Sequence, residues 1–395
     1  MAGGAGDLKS IQETNRRLVL QMLVKQAPVS RATIARMVQL SPSTITNAVA
    51  ELIADGVVRE VGAGDSSGGR KPILLDVNWG ARHVLAVSAE ADRISAAWVN
   101  LQLQSDLRLD LALERREDCL AVAQEAVARL LRERSPRTAV GIGVAAPGLL
   151  DRGKGAIVNA ASYGWRDIPL AAALEDTFGL PAWIENDVNA AALGEGCAGA
   201  GRGLGDFAYV LVDNAVGAGL VVDGRLALGA MGNAGEFGHM TIDWNGEECA
   251  CGGRGCLERS VCWPVVRRRL EEEGLDAARE EPVPYDRRAL LHRLSSSRRE
   301  NRALRTTAAM LGAGIASLIN LTDPRAVILE GVFSRAPAFI DWVQAEVARR
   351  MRGLQRDVPP ILPGELGDAA TLAGAAVMAF ERSGLSARAV DGVRV

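Results

Sequence analysis

The chain has 395 residues, of which 48% are hydrophobic and 4% aromatic, and its net charge at pH 7 is −3. This length exceeds one ordinary domain, so two or three domains with sizeable cores are expected. The small net charge gives no general reason to expect nucleic acid binding. Residues 1–82, however, carry ten Lys/Arg against seven Asp/Glu, a net charge of +3 that leaves −6 on the remainder. This asymmetry indicates a basic head on an acidic body.

The composition also indicates the cellular compartment of the protein. No apolar run reaches about 18 residues, and the N-terminus has no signal-peptide hydrophobic segment, so we expect a soluble, cytoplasmic protein without a membrane partner. In that compartment cysteines are expected as free thiols or metal ligands rather than as disulfides. Cys119, Cys197 and Cys262 are interpreted as ordinary buried residues.

Residues 1–78 predict a winged helix-turn-helix domain. Apolar residues at helical spacing predict a helix over residues 8–26, with Ile11, Leu18 and Met22 on one face and Val19 and Leu23 beside them. Ser30 is the expected N-cap of a short second helix. A Ser-Pro pair at 41–42 then starts a third helix that ends near residue 54.

The third helix and a following hairpin supply the expected DNA contacts. Two predicted strands, 57–61 and 73–77, flank a Gly/Ser-rich tip that forms the wing. Short polar side chains near the start of a recognition helix contact base edges, and basic residues on a wing contact phosphates or the minor groove. The expected contacts are Ser43, Thr44, Thr46, Asn47, Arg70 and Lys71. The alternative is a small helical docking module with a flexible linker.

Predicted strands and helices alternate after residue 78, which indicates an α/β architecture. Strands are predicted over 84–87, 94–99, 139–145, 181–184, 207–212, 219–222 and 326–329. Helices are predicted over 119–132, 190–198, 303–320 and 369–381. The highly charged segment 271–300 is expected to be an exposed helical excursion.

A short segment near residue 250 has the composition of a metal site. His239 precedes Cys249, and Cys251 and Cys256 follow within seven residues. One imidazole and three thiolates make a closed tetrahedral set, as in structural zinc sites. Nearby glycines allow the backbone to curl around one ion. We therefore expect a structural Zn²⁺; the alternative is that the cysteines are small core residues and His239 is a surface residue.

Three runs of the body carry a family signature. They are Glu-Asn-Asp-Val-Asn-Ala-Ala-Ala-Leu-Gly-Glu at 185–195, Ala-Gly-Glu-Phe-Gly-His-Met at 234–240 and Cys-Ala-Cys-Gly-Gly-Arg-Gly-Cys-Leu-Glu at 249–258. With the head, they resemble the ROK family (repressors, open reading frames, kinases), and its repressor branch of xylose and N-acetylglucosamine repressors in particular.

The resemblance implies a fold and a division of the chain. The fold is an N-terminal winged helix-turn-helix followed by an α/β, two-lobed, actin-like sugar-kinase body of the ribonuclease H-like type, with sugar between the lobes. The division is a DNA-binding domain at 1–78 and a sugar-binding domain at 79–395. Lobe one is then expected at about 79–187 plus 375–395, and lobe two at about 188–374.

The resemblance also implies a sugar pocket. Carboxylates and carboxamides bind sugars well because each hydroxyl both donates and accepts a hydrogen bond. The residues implied to line the pocket are Asn186, Asp187, Glu236, His239, Glu258 and Ser162. His239 is expected to place one ring nitrogen on zinc and the other on a sugar hydroxyl. Ser162 stands where the family often has Asn, and the alternative role for Asp187 is that of a helix-cap carboxylate.

In kinases of the family, the residue that matches Asp187 is the general base, and glycine-rich turns bind the nucleotide phosphates. Three such turns are replaced here, by the segment 87–93 with its Glu90, by Asp-Asn-Ala at 213–215 and by Glu-Gly at 330–331. We therefore expect no enzymatic activity. The chain is interpreted as a homodimeric or homotetrameric regulator that binds operator DNA and a sugar or sugar derivative. The alternatives are a sugar kinase with an appended DNA-binding head and a DNA-bound scaffold with a vestigial pocket.

Overall fold

The computed structural model describes residues 4–63, 71–274, 291, 302–354 and 357–385. Arg70, which was predicted to contact DNA, lies outside these residues, and so does most of the charged segment predicted as a helical excursion at 271–300.

The head consists of three helices and three strands. These are α1 (Gly4–Gln26), β1 (Val29–Ser30), α2 (Arg31–Val38), α3 (Pro42–Ala54), β2 (Val58–Ala63) and β3 (Ile73–Val77). The predicted caps are confirmed: the Ser30 hydroxyl accepts from the Thr33 amide at 3.2 Å, and the Ser41 hydroxyl from the Thr44 amide at 3.1 Å. The strands have the order β1-β3-β2, and antiparallel β2 and β3 form the wing.

The buried face of α1 is centred on Val19 and Leu23 rather than on Ile11 and Leu18. Ile11 and Leu18 are 55% and 36% exposed, whereas Val19, Leu20 and Leu23 are at most 1% exposed. The predicted helix is therefore present, and of the apolar residues named for it Val19 and Leu23 are buried while Ile11 and Leu18 are exposed. The described core residues of α1 come from its C-terminal half, which packs on α2 and α3.

The first part of the body is built on a five-stranded sheet. Its elements are β4 (His83–Ala89), β5 (Arg93–Asn100), β6 (Ser105–Ala112), α4 (Cys119–Glu133), β7 (Ala139–Ala146), β8 (Leu149–Asp151), β9 (Ala156–Ala160), β10 (Trp165–Ile168), α5 (Leu170–Phe178) and β11 (Ala182–Asn186). The main sheet has the order β11-β7-β4-β5-β6, and β8, β9 and β10 form a small antiparallel sheet beside it.

The second part contains a sheet of the same size. Its elements are α6 (Asp187–Ala198), β12 (Phe207–Val212), β13 (Val216–Val222), β14 (Arg225–Leu226), α7 (Glu258–Val261), α8 (Trp263–Glu272), α9 (Arg302–Thr322), β15 (Val327–Gly331), α10 (Pro337–Met351), β16 (Ile361–Pro363) and α11 (Ala370–Arg382). The strand order is β14-β13-β12-β15-β16.

The two sheets share one topology. In each, the first three strands form an antiparallel meander, and the last two strands add in parallel on the other side of the first strand. This repetition is the two-lobed, actin-like architecture that the sequence predicted. Because β4 and β12 hold equivalent places, the turns that follow them, 90–92 and 213–215, are equivalent as well.

Close helix packing joins the lobes and the head. A methyl group added at Gly374 of α11 would overlap the Ala190 carbonyl oxygen of α6, so the two helices approach at backbone distance. One apolar cluster then runs from α11, through Phe380, into the head, where it includes Leu52 and Val77. The head therefore rests on the first lobe through a shared core.

One helix in the described part of the chain, α9, is long and apolar enough to cross a membrane by length and composition. Eleven of its residues are nonetheless buried against the second lobe, among them Leu304, Leu311 and Ile315. Because these buried apolar side chains pack in the core of the second lobe, we interpret α9 as a core helix.

Candidate functional site

Asn186 and Asp187 lie where the last strand of the first sheet meets α6. The Asn186 side-chain oxygen accepts hydrogen bonds from the Val188 and Asn189 amides at 3.0 and 3.2 Å, and its amide group donates to the Gly148 carbonyl at 3.3 Å. Asn186 is thus the N-cap of α6, which begins at residue 187 rather than at the predicted residue 190. Its carboxamide has one remaining N–H to offer a ligand.

Asp187 is the half-buried carboxylate at the first position of α6. Its Oδ1 accepts from the Val188 amide at 2.9 Å, which leaves Oδ2 for other partners. Burial raises the pKa of Asp187 to about 6, and the negative charges of Glu90 and Glu236 add to this effect. The carboxylate therefore favours a neighbour that donates hydrogen bonds over an anion.

Glu258 and Glu236 approach from the second lobe. Glu258 is 9% exposed, and its Oε2 accepts from the Val216 amide at 2.9 Å. Glu236 is exposed, and its Oε2 lies 3.8 Å from the His239 Nε2 atom. Ser162 is exposed on the first lobe, where its backbone carbonyl accepts from Arg116 at 3.4 Å.

Tyr163 is a cleft residue that the sequence analysis missed. Burial raises the pKa of its phenol, and the carboxylates of Asp187, Glu90, Asp213 and Glu258 raise it further. These four acids come from both lobes, so the phenol is positioned among the groups of the cleft. The only signal in the sequence was its position next to Ser162.

The four predicted metal ligands come together. One ligand atom from each of His239, Cys249, Cys251 and Cys256 lies within 4.8 Å of the others. The His239 Nδ1 atom is 3.7 Å from the Cys249 sulfur, and the sulfurs of Cys251 and Cys256 are also 3.7 Å apart. Because Nδ1 faces the sulfurs, Nε2 points away toward Glu236. The geometry therefore allows the predicted roles of the imidazole, with Nδ1 on zinc and Nε2 on a sugar hydroxyl.

The loop around this cluster suits thiolate ligands. The Gly253 amide donates to the Cys251 sulfur at 3.4 Å and lowers the pKa of that thiol. Gly255 has a φ of +68°, and a side chain there would overlap the Asp243 carbonyl oxygen. One histidine and three cysteines in a closed, tightly turned loop match the donor set of a structural zinc ion.

The three turns interpreted above as replacements of kinase phosphate loops make contacts within the chain. Glu90 is ion-paired with Arg93 at 2.7 Å, and its amide donates to the Arg93 carbonyl. The Asp213 amide donates to the Ala215 carbonyl at 3.0 Å. The Gly331 amide donates to the buried Glu330 carboxylate at 2.9 Å. A phosphate would therefore meet carboxylates and backbone amides that are already engaged.

The exposed face of α3 carries Ser43, Thr46 and Asn47, while Thr44 is half-buried. The Thr46 hydroxyl donates to the Pro42 carbonyl at 2.8 Å, and the Ser43 and Thr44 hydroxyls each lie 2.8 Å from the Ser41 hydroxyl. Within the described part of the chain, the Asn47 carboxamide has no such contact. Asn47 can therefore offer both a donor and an acceptor to a base edge.

Several basic residues of the head are already paired. Arg16 contacts Asp55, Arg31 lies 2.9 Å from Glu60, and Arg59 lies 3.3 Å from Asp76. Lys71, at the base of the wing, is exposed. Of the predicted phosphate contacts, Lys71 is the one that the structure describes.

Comparison with known proteins agrees with this geometry. The model of the ROK family matches residues 85–382, and the winged helix-turn-helix DNA-binding model matches residues 12–59. A xylose repressor from Bacillus spizizenii is 30% identical over 95% of this chain and 97% of its own length.

Two solved structures match the fold. A ROK family transcriptional regulator, a homolog of the E. coli MLC protein, aligns with a TM-score of 0.79 at 22% identity, covering 97% of this chain and 98% of its own. A ROK hexokinase from Thermus thermophilus aligns with a TM-score of 0.63 at 30% identity, covering 76% of this chain and 98% of its own. The kinase thus matches the body, and the regulator matches the head as well.

Proposed function

The chain belongs to the ROK family, and we propose on that premise that it is a transcriptional repressor whose operator affinity is controlled by a sugar. The observation that carries this proposal is the joining of a complete winged helix-turn-helix to a two-lobed sugar-kinase body in one chain. A ligand that binds one arrangement of the lobes more tightly than another shifts operator affinity by that difference.

We propose an uncharged sugar as the ligand, held by Asp187, Glu236 and Glu258, with Asn186, His239 and Ser162 as further contacts. The cleft is acidic, and two arginines beside it are already ion-paired, Arg93 with Glu90 and Arg152 with Glu185. Carboxylates accept hydrogen bonds from sugar hydroxyls but repel a phosphate group. Xylose is the first sugar to test, because a xylose repressor matches over nearly the whole chain.

We propose that Zn²⁺ occupies the His239, Cys249, Cys251 and Cys256 set and has a structural role. Its support is the donor set and the closeness of the four ligand atoms. When bound, zinc would hold His239 and the loop leading to Glu258 in fixed positions, since four protein ligands leave no open coordination site for chemistry.

We further propose that the protein is not a kinase, and that it acts in the cytoplasm as a homodimer or homotetramer. The engaged amides of the three turns support the first point. Two copies of the winged helix would read two operator half-sites, as helix-turn-helix dimers do. The domain division at residue 78 is part of this proposal.

The test begins with selection of a duplex DNA sequence from a random pool by the full-length protein. Thermal denaturation is then followed with D-xylose, N-acetylglucosamine, their phosphate esters and ATP with Mg²⁺. We expect one uncharged sugar to raise the melting temperature and to change affinity for the selected duplex, with no consumption of ATP. Sugar-dependent ATP turnover that Asp187→Ala abolishes would instead establish the kinase alternative.

A further inference from the structure

Arg152 makes an unexpected contact between the two lobes. It follows β8 on the first lobe, where its Nε and Nη2 atoms donate to the two carboxylate oxygens of Glu185, at 2.8 Å for the Nε bond. Its third donor, Nη1, reaches the Gly232 carbonyl of the second lobe at 2.9 Å. The side chain of Arg152 is 19% exposed and that of Glu185 is 1% exposed.

Each end of this bridge leads directly to a proposed ligand-binding segment. On the first lobe, Glu185 Oε1 also accepts from the Asn186 amide at 2.8 Å and from the Asn189 side chain at 3.1 Å. On the second lobe, Gly232 lies four residues before Glu236 in the loop that follows β14. The guanidinium therefore contacts one residue in each lobe that leads directly to proposed ligand-binding residues.

The loop is shaped to receive the arginine. Gly232 has a φ of +74°, a backbone conformation that favours glycine, and a methyl group there would overlap the Nη1 atom unless the guanidinium moved. The loop closes on itself through the Gly232 amide to Gly229 and the Ala234 amide to Leu228, at 3.2 and 3.0 Å. A cavity of about 490 Å³ opens beside the bridge and is lined by both lobes, from Leu149 to Asn233.

We propose that Arg152 is a positioning residue that couples the two halves of the ligand site. It holds the loop before Glu236 against the segment Glu185–Asp187 without touching the ligand. A guanidinium can serve a carboxylate with two donors and a carbonyl with a third, whereas a lysine ammonium cannot span both partners in this geometry. The role of Glu236 and Asp187 in ligand binding rests on the proposed function, but the bridge itself does not.

The test is hydrogen exchange of the full-length protein without ligand, followed by mass spectrometry. In Arg152→Lys, the charge beside Glu185 remains and the bond to Gly232 is lost. We expect amides of the 227–236 loop to exchange about tenfold faster, the effect of one lost hydrogen bond to a charged donor. The matched control is Arg108→Lys, since Arg108 also holds Asp110 with two donors but lies on β6.

The reciprocal variant is Gly232→Ala, which displaces the guanidinium from the other side without a change in charge. If Arg152 couples the lobes, this variant also speeds exchange of the Asn186 amide on the first lobe. Unchanged exchange of the 227–236 loop in Arg152→Lys, with the fold retained, would overturn the proposal. So would an effect of Gly232→Ala confined to its own loop, which would show a local strain only.

A second arm measures D-xylose binding by calorimetry, with Arg152→Lys expected to weaken it about tenfold. Absence of xylose binding by the unsubstituted protein would count against the proposed ligand and leave the exchange result standing. Full xylose affinity in Arg152→Lys, despite faster exchange of the loop, would overturn the coupling.

Discussion

At the scale of residues, the environment of Asp187 disfavours its charged form. Its pKa is raised to about 6 from an ordinary value of 3.8, so the folded protein binds a proton that the unfolded chain releases between these values. The contribution of Asp187 to stability therefore falls as the pH rises from about 4 to about 6, and the cost is complete above that range. This behaviour fits the proposed ligand-binding role of Asp187 rather than a role in stability.

The raised pKa of Asp187 predicts how Asp187→Asn changes stability at different pH values. Removing the charge should raise the free energy of unfolding by about 1–2 kcal/mol at about pH 7.5 and change it much less at about pH 4.5. Denaturant titration at both pH values measures the difference. Asp151→Asn is a suitable control, because the pKa of Asp151 is lowered through hydrogen bonds in the turn to Lys154. An equal effect of Asp187→Asn at the two pH values would contradict the assignment.

Asn47 is the residue of α3 best placed to read a base. Asn47→Ala should reduce affinity for the selected duplex by about 1–3 kcal/mol, with little effect on random DNA, because a carboxamide can contact an adenine edge with two hydrogen bonds. Fluorescence anisotropy with both duplexes measures this. Lys71→Ala is the contrasting variant, expected to weaken both duplexes alike and to flatten the salt dependence. Equal losses on both duplexes for Asn47→Ala would exclude base reading.

At the scale of elements, the proposed metal loop is the segment that carries His239, Cys249, Cys251 and Cys256. It shows that residues close along the chain can be assigned to one site from the sequence. His239 and the three cysteines lie within 18 residues, so their spacing predicted a set that the structure brings within 4.8 Å. Ser41 and Pro42 likewise predicted the start of α3, because a cap acts within one turn. These predictions succeeded because the partners are close along the chain.

Elements that depend on distant partners were not predictable in the same way. Strand β6 is largely exposed and lacks an apolar run, so it was not predicted at all. Arg152 and Gly232 are 80 residues apart and meet only once the two lobes are in place. Asn186 was expected to contact sugar, and its capping of α6 became evident only from the backbone geometry.

The prediction at this scale concerns zinc binding by the proposed metal loop. Purified protein should contain about one Zn²⁺ per chain, and Cys251→Ser should lose the metal and lower the melting temperature. Elemental analysis and thermal denaturation measure the two effects. Cys119→Ser should keep the metal, since Cys119 is buried in the first lobe away from the loop. A metal-free protein with an unchanged melting temperature would refute the structural role of zinc.

At the scale of the whole molecule, the proposed ligand and DNA sites are joined by packed structure. Asp187 begins α6, α6 packs closely on α11, and the core around Phe380 of α11 continues into the head. Rearrangement of the lobes around a sugar would therefore move a helix that supports the DNA-binding domain. Binding at the cleft and binding at the head must then share one free energy of coupling.

The most direct test measures affinity for the selected duplex with and without the sugar identified by thermal denaturation, in the full-length protein and in Asp187→Ala. The sugar should change the affinity of the unsubstituted protein for the duplex by about 5- to 150-fold. In the absence of sugar, Asp187→Ala should bind the duplex as tightly as the unsubstituted protein, and added sugar should no longer change its affinity. A full response to the sugar in Asp187→Ala would contradict the central claim that the cleft controls the head.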